Sequence, residues 1–213
     1  RPSATFKNDR GSGVPHWAQP AEGVSPEFRH VAWGNNRPVA YRLRVPAGAA
    51  KRVMLGFCES YKKYLFQRTA TMEVEGAATQ AVDLALNAPH HAPQVFLFDA
   101  RDENNDGWIN LRVFAPQGQD PNSTLATIAV YPAGTTLSRD ELVAGSLAPN
   151  DRAELRIACG REMDRQPART DLVHARYTGD LAPALLALEA HAVGRGHGHG
   201  VGHGVADHHA PPR

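Results

Sequence analysis

The chain has 213 residues, and 23 Lys and Arg against 22 Asp and Glu leave a formal net charge of +1 at pH 7. This length is enough for one buried core with appendages. The balanced charge, without a long basic run, argues against nucleic acid as a partner. No segment approaches the roughly 20 apolar residues of a membrane span. The abundance of Ala, Arg, Gly and Pro is typical of a GC-rich bacterial source.

The first 29 residues are rich in Gly, Pro and polar side chains and show no sustained period. They therefore predict an extended N-terminal arm that lies on the core or on a partner. His16 and Trp17 are the side chains in this arm that we expect to contact another chain.

Residues 30–132 are a series of short alternating strands. In VAYRLRV, Val39, Tyr41 and Leu43 point to one face, a period of two that is typical of a half-buried strand. Seven or more such strands without intervening helices predict an all-β fold, an antiparallel jelly roll or β-sandwich. The alternation places these residues in the core: Val53, Leu55, Phe57, Met72, Val74, Ile109, Leu111, Val113, Ile128 and Val130.

Residues 133–193 form a C-terminal extension. Ser138 with Glu141 three residues later is a capping-box pattern for a short helix, and residues 153–159 alternate as a strand. Asp180 caps a further short helix over residues 181–193, with Pro183 in its first turn.

Residues 194–213 are a Gly/His-rich tail. Six of the eleven histidines lie between His191 and His209. Ordering such a tail costs roughly 1 to 2 kcal/mol per residue, which Val201 and Val205 cannot offset. We expect contacts with another chain, or a transition metal on His197, His199 and His203, to hold it.

Three segments follow one another within residues 31–132: VPAGAAKRVMLGFCESY, FQRTATMEVEGAATQAVDL, and DGWINLRV followed by TLATIAVYP. In their order and spacing, these segments resemble malectin-like carbohydrate-binding domains. The resemblance implies a jelly roll and, in some members, sugar binding through loop aromatics at one edge. Two departures bear on sugar binding: Cys58 stands where the family usually has Ala, and Lys62 and Lys63 follow the aromatic position.

Glu59, Tyr61, Tyr64 and Trp108 are the candidate glycan-binding residues. Flat aromatic faces cover the CH groups of a sugar, and a nearby carboxylate accepts hydrogen bonds from its hydroxyls. The same side chains are also suited to packing the edge of the sandwich or a protein partner.

Asp102, Asn104 and Asp106 have the D-x-N-x-D-G spacing that begins a calcium loop. The twelfth position is Val113 instead of Glu, so an ordinary hairpin turn at residues 105–107 is the alternative. Cys58 and Cys159 are compatible with one disulfide or with two buried thiols.

The sequence has no nucleophile elbow, zinc-protease motif or phosphate-binding loop, so we expect no catalysis and no required cofactor. Two roles stay open for an extracytoplasmic protein, periplasmic or secreted. It is a subunit that associates with other proteins and stabilises a larger assembly, or it is a module that binds a glycan.

Overall fold

A computed structural model describes residues 3–6, 12–34, 36–85, 89–116 and 120–160. They lie in the compact unit Arg1–Arg176, and a second unit, Tyr177–Arg213, falls outside the described residues. The strands are β1 (Ser3–Phe6), β2 (Ser12–Val14), β3 (Val31–Trp33), β4 (Val39–Arg44), β5 (Ala50–Cys58), β6 (Thr69–Val74), β7 (Gln80–Asp83), β8 (Pro93–Arg101), β9 (Trp108–Phe114), β10 (Thr124–Leu125), β11 (Thr127–Pro132) and β12 (Leu155–Ala158). The helix α1 spans Arg139–Ala144, and 3₁₀ segments span Pro26–Arg29 and Gly145–Leu147.

Two antiparallel sheets form the body of the fold. One has the order β1-β4-β9-β6-β7 and the other β12-β11-β5-β8. β10 and β11 are consecutive segments separated by Ala126: β10 pairs with β3, and β11 pairs with β5 and β12. One layer therefore consists of β3, β10/β11, β5 and β8, and the layer facing it consists of β4, β9, β6 and β7. The chain passes repeatedly between the two layers, as in a jelly roll. The all-β prediction is confirmed.

The core lies between the inner faces of the two sheets, as the alternation predicts. All ten core residues named from the sequence are buried, and they belong to one contiguous cluster. β4, β6 and β9 contribute every second residue to it, and the outer face of these strands is mostly polar. β5 differs because it is buried on both faces from Val53 onward.

Two elements cover the outer face of β5. Leu142 of α1 packs with Met54 and Tyr131, while Phe28 of the first 3₁₀ segment packs with Cys58. A Cβ on Gly56 would lie 2.8 Å from the Phe28 ring, so only glycine permits this close approach.

The N-terminal segment is part of the sandwich. β1 pairs with β4, and β2 pairs with β3. The described residues of the arm therefore lie on the core, one of the two placements predicted, because backbone pairing within the chain holds them. The expected contacts of the arm with another chain stay a prediction. Toward the C-terminus, the capping box of Ser138 and Glu141 and the strand ending near Cys159 are confirmed. The helix predicted after Asp180 lies outside the described residues.

Candidate functional site

The most exposed apolar surface lies on the connection between β5 and β6, residues 60–67, which we call the 60s loop. Four of the five large hydrophobic side chains exposed in the described part of the chain fall on it, at 69% for Tyr61, 72% for Tyr64, 52% for Leu65 and 69% for Phe66; the fifth, Leu147, is elsewhere. Tyr61 and Tyr64, two of the predicted site residues, thus lie exposed on one loop, together with Phe66 from the same aromatic run. Sequence analysis missed Leu65 as a site residue, although YKKYLF, an apolar-rich run without a period of two, was the available signal.

Glu59 and Arg68 form the base of this loop. Their side chains are 3% and 5% exposed, and Glu59 Oε2 lies 2.7 Å from Arg68 Nε. Glu59 Oε1 accepts hydrogen bonds from the backbone N–H groups of Tyr61 and Lys62, both at 2.8 Å. The glycan role predicted for Glu59 is therefore wrong: burial and the ion pair withdraw its carboxylate from any ligand on the loop surface.

The far side of the loop is fixed by two more side chains. Gln67 Oε1 accepts from the backbone N–H groups of Lys63 and Tyr64, each at 3.2 Å. Asp83 of β7 accepts the backbone N–H of Phe66. Phe66 has φ +61°, a left-handed conformation that is unfavourable for a bulky residue. The fold thus keeps an aromatic ring turned outward at a strained position.

The carboxylates around the 60s loop are turned inward and paired. Asp120 lies 2.8 Å from Lys62 Nζ and 3.6 Å from Arg68. Burial alone would raise the pKa of Asp120, but hydrogen bonds from Lys62 and Asn122 and the charge of Arg68 outweigh it and lower the pKa. The side chain of Lys63, by contrast, is exposed. The surface of the loop therefore presents apolar groups and positive charge.

Trp17 packs beside the 60s loop. Its ring centroid lies 6.3 Å from that of Tyr61, and its indole Nε1 donates to the Cys58 carbonyl at 2.9 Å. Ser60 Oγ donates to the Trp17 carbonyl. The N–H of His16 donates to His30 Nδ1 at 3.3 Å. His16 and Trp17 therefore contact their own chain, and the contacts to a partner expected of them stay a prediction.

Trp108 lies at the opposite end of the sandwich. It begins β9 and pairs with Arg44, and the Arg42 guanidinium stacks 4.5 Å from its ring centroid. The loop before it meets the start of β5, whereas the 60s loop follows the end of β5. Nine residues of strand separate the two ends by roughly 27 Å. The prediction that Trp108 shares an edge with Tyr61 and Tyr64 is wrong.

Backbone N–H groups donate to side-chain oxygens of Asp102, Asn104 and Asp106. Asp102 is buried, and its Oδ2 accepts from the N–H groups of Gly48 at 3.0 Å and Gly107 at 2.9 Å. Asn104 accepts from the Asp106 N–H at 2.9 Å. Burial would raise the pKa of Asp102, but these amides lower it. The geometry supports the hairpin turn rather than a calcium loop.

The two cysteines are buried thiols and not a disulfide, the second of the two alternatives that the sequence leaves open. Cys58 ends β5 and packs with Phe28, whereas Cys159 belongs to the cluster between the sheets. Burial and the neighbouring Glu59 raise the pKa of Cys58 to about 12.

The metal-ligand and contact residues predicted in the tail lie outside the described residues: His197, His199, His203, Val201 and Val205. Within the described ranges, no three His, Cys, Asp or Glu side chains gather to hold a metal ion. The same part of the chain contains no helix long and apolar enough to cross a membrane.

Comparison with solved structures finds distant likenesses. The plant receptor-like kinase ANX2 has a TM-score of 0.48 and 12% identity over 63% of this chain and 41% of its own. FER in complex with the plant peptide RALF23 and LLG2 has a TM-score of 0.47 and 16% identity, over 59% of this chain and 40% of its own. A β-glucuronidase of Bacteroides uniformis has a TM-score of 0.46 and 12% identity, over 62% of this chain and 14% of its own. The chain thus spans about two fifths of the plant structures.

No family model and no curated protein matches the chain. The ANX1, ANX2 and FER ectodomains are malectin-like domains, the family that the sequence resembles. Because the TM-scores are below 0.5 and the identities below 25%, the likeness transfers no ligand or activity to this chain.

Proposed function

We propose that this domain is a non-catalytic binding module that associates with another protein through the 60s loop, as a subunit of a larger assembly. The observation that carries the proposal is the concentration of exposed Tyr61, Tyr64, Leu65 and Phe66 within six residues. Isolated exposed hydrophobic side chains are ordinary, but a contiguous patch marks an interaction site. Tyrosine is also enriched among the residues that dominate binding energy at protein interfaces.

The anchoring of the loop supports the same proposal. Glu59, Gln67 and Asp83 hold its backbone through side-chain acceptors. A loop that is already fixed loses less conformational entropy on binding, which leaves more of the contact energy for affinity.

The charges indicate the chemistry of the partner. Glu59 and Asp83 are buried and Asp120 is paired with Lys62, while Lys63 is exposed. A complementary protein surface has an apolar centre and acidic residues near the position of Lys63.

A glycan is the less favoured ligand. A sugar platform needs a carboxylate or amide that accepts hydroxyl hydrogen bonds beside the rings. Glu59, the carboxylate predicted for that role, is already paired with Arg68 and accepts hydrogen bonds from two backbone amides. Leu65, between the exposed aromatics, adds apolar surface of the kind that a protein covers.

The test compares full-length chains with Tyr64→Ala or Leu147→Ala in pull-downs from the native source. Both positions are exposed, at 72% and 55%, so neither change should unfold the domain. We expect Tyr64→Ala to lose a bound protein that the wild type and Leu147→Ala retain. Equal retention by both variants would refute the proposal. Glycan-array binding by the wild type that Tyr64→Ala abolishes would assign the loop to a sugar.

The absence of catalysis and an extracytoplasmic location, periplasmic or secreted, are part of this proposal. A thiol with a pKa of about 12 carries almost no thiolate at neutral pH, so Cys58 is unsuited to nucleophilic chemistry. Fractionation of the native source, with the protein appearing outside the cytoplasm, tests the location.

A further inference from the structure

The N-terminal segment beside the 60s loop, residues 16–19, which we call the strap, is held by a small set of contacts. Ala18 is buried, and its N–H donates to the Arg29 carbonyl at 3.2 Å. The Trp17 indole donates to the Cys58 carbonyl, and its ring packs near Tyr61. These contacts place the strap against the base of the exposed patch.

Ser60 Oγ donates to the Trp17 carbonyl in the middle of the strap, and histidine rings accept one further hydrogen bond at each end of it. The His16 N–H donates to His30 Nδ1 at 3.3 Å, and the Gln19 N–H donates to His91 Nδ1 at 3.2 Å. A ring nitrogen accepts only while it carries no proton, since both nitrogens of an imidazolium are donors. Protonation of either ring therefore converts an attraction into two donors that face each other.

His90 provides an internal contrast. Its Nε2 lies 2.6 Å from the Lys62 carbonyl, an acceptor, so this nitrogen donates. That bond survives protonation because Nε2 keeps its hydrogen in both states. His90 thus holds the 60s loop at any pH, whereas His30 and His91 hold the strap only when neutral.

The rings also have titratable and charged neighbours. His16 and His30 lie 5.5 Å apart, and His90 and His91 lie 5.9 Å apart, measured between ring centroids. Among the described residues, the ionic side chains on the elements that carry or contact the four rings include Glu27, Arg29, Glu59, Lys62, Arg68, Asp120 and Arg139. Whatever the charge of these neighbours, a ring nitrogen that gains a proton no longer accepts a hydrogen bond.

We propose that the strap is a pH-sensitive latch, released when His30 and His91 become protonated. Histidine is the side chain whose charge ordinarily changes between pH 5 and 8, so pH 7.5 and 5.5 are the conditions to compare. Release of both ends leaves the strap held only by the bonds of Trp17 and Ala18, which weakens its support of one side of the 60s loop. The consequence for binding rests on the proposed function, whereas the latch itself does not.

The latch is tested by amide hydrogen exchange in the full-length chain, followed by NMR at pH 7.5 and 5.5 and expressed as protection factors. Protection of the His16 and Gln19 amides should fall at least about fivefold at pH 5.5, the effect of one lost hydrogen bond. The Val45 amide, which donates to the Gly107 carbonyl at 2.9 Å, reports on the rest of the fold and should keep its protection.

Asparagine substitutions separate the latch from general acid effects. Asn Oδ1 takes the place of His Nδ1 and does not titrate, and His91 has φ +62°, which Asn tolerates well. The His30→Asn/His91→Asn chain should keep the strap protected at both pH values, while His90→Gln should behave as the wild type. Equal pH dependence in the wild type and the double variant would overturn the proposal.

Binding is then measured at both pH values with a partner recovered by the pull-down. Loss of binding at pH 5.5 in the wild type but not in His30→Asn/His91→Asn supports control of the patch by the latch. Binding that is unchanged at pH 5.5 while the strap is released overturns that control. Binding that Tyr64→Ala leaves intact refutes the proposed function alone, because the exchange measurement does not depend on a partner.

Discussion

Replacing Glu59 by alanine tests whether a buried ion pair holds the 60s loop. The change removes the carboxylate that lies 2.7 Å from Arg68 Nε and accepts the N–H groups of Tyr61 and Lys62. Arg68 is 4% exposed, so it would be left as a buried charge with only Asp120, at 3.6 Å, as a neighbouring carboxylate.

The magnitude follows from that burial. Removing one member of a buried pair typically costs about 3 to 5 kcal/mol, because the remaining charge is desolvated without compensation. In a domain of this size each kcal/mol lowers Tm by about 2 to 4 °C. We therefore expect Glu59→Ala to lower Tm by roughly 6 to 20 °C.

Thermal unfolding followed by circular dichroism measures the Tm of Glu59→Ala and of two control variants. Glu59→Gln keeps an acceptor for the amides but loses the charge, so its Tm should lie between those of the wild type and Glu59→Ala. Glu59→Ala/Arg68→Met removes the stranded charge and should be more stable than Glu59→Ala alone. A Tm of Glu59→Ala within about 3 °C of the wild type, or strictly additive effects in the double variant, would refute the reasoning.

Two further predictions concern Phe66 and Asp102. Phe66→Asn and Phe66→Ala both remove the exposed ring, but Asn tolerates φ +61° better. Chemical denaturation should therefore show Phe66→Asn to be more stable than Phe66→Ala by about 1 kcal/mol. Equal stability of the two variants would contradict strain at this position. Because the folded state lowers the pKa of Asp102, its carboxylate stabilises the fold above the unfolded pKa of about 4 and loses this effect as pH falls through the folded value. Asp102→Asn should therefore be less stable than the wild type at pH 7, with a difference that shrinks below about pH 4; a difference that does not change with pH would contradict this.

The sheets could be predicted because each strand carries its own signal. The period of two in β4, β6 and β9 follows from burial of one face only, so the core residues on these strands were predictable individually. The N-terminal strands lack that alternation. β1 and β2 form because they pair with the strand edges of β4 and β3. This tertiary effect cannot be read from the sequence of the N-terminal segment itself.

The site was predicted only in part, and the errors have physical causes. Exposed Tyr61 and Tyr64 follow from their place after a strand, but the burial of Glu59 depends on Arg68, nine residues away. The position of Trp108 could have been predicted: successive antiparallel connections alternate between the two ends of a sandwich. Three strands, β6, β7 and β8, separate the 60s loop from the loop before Trp108, so the two loops lie at opposite ends.

The strap was not predictable from its own residues. His16 and Trp17 occupy a Pro- and Gly-rich segment without a period, and their acceptors, His30 and the Cys58 carbonyl, lie 14 and 41 residues away. Only the folded sheets bring those acceptors together.

Site-specific photo-crosslinking in the native source tests the central claim most directly. A photoreactive phenylalanine analogue replaces Tyr64 in one chain and Leu147 in another, since both positions are exposed and only the first is on the 60s loop. The account predicts a discrete protein adduct from position 64 that is absent from position 147. No adduct at position 64, or the same adduct from both positions, would contradict the claim that the 60s loop is the binding surface.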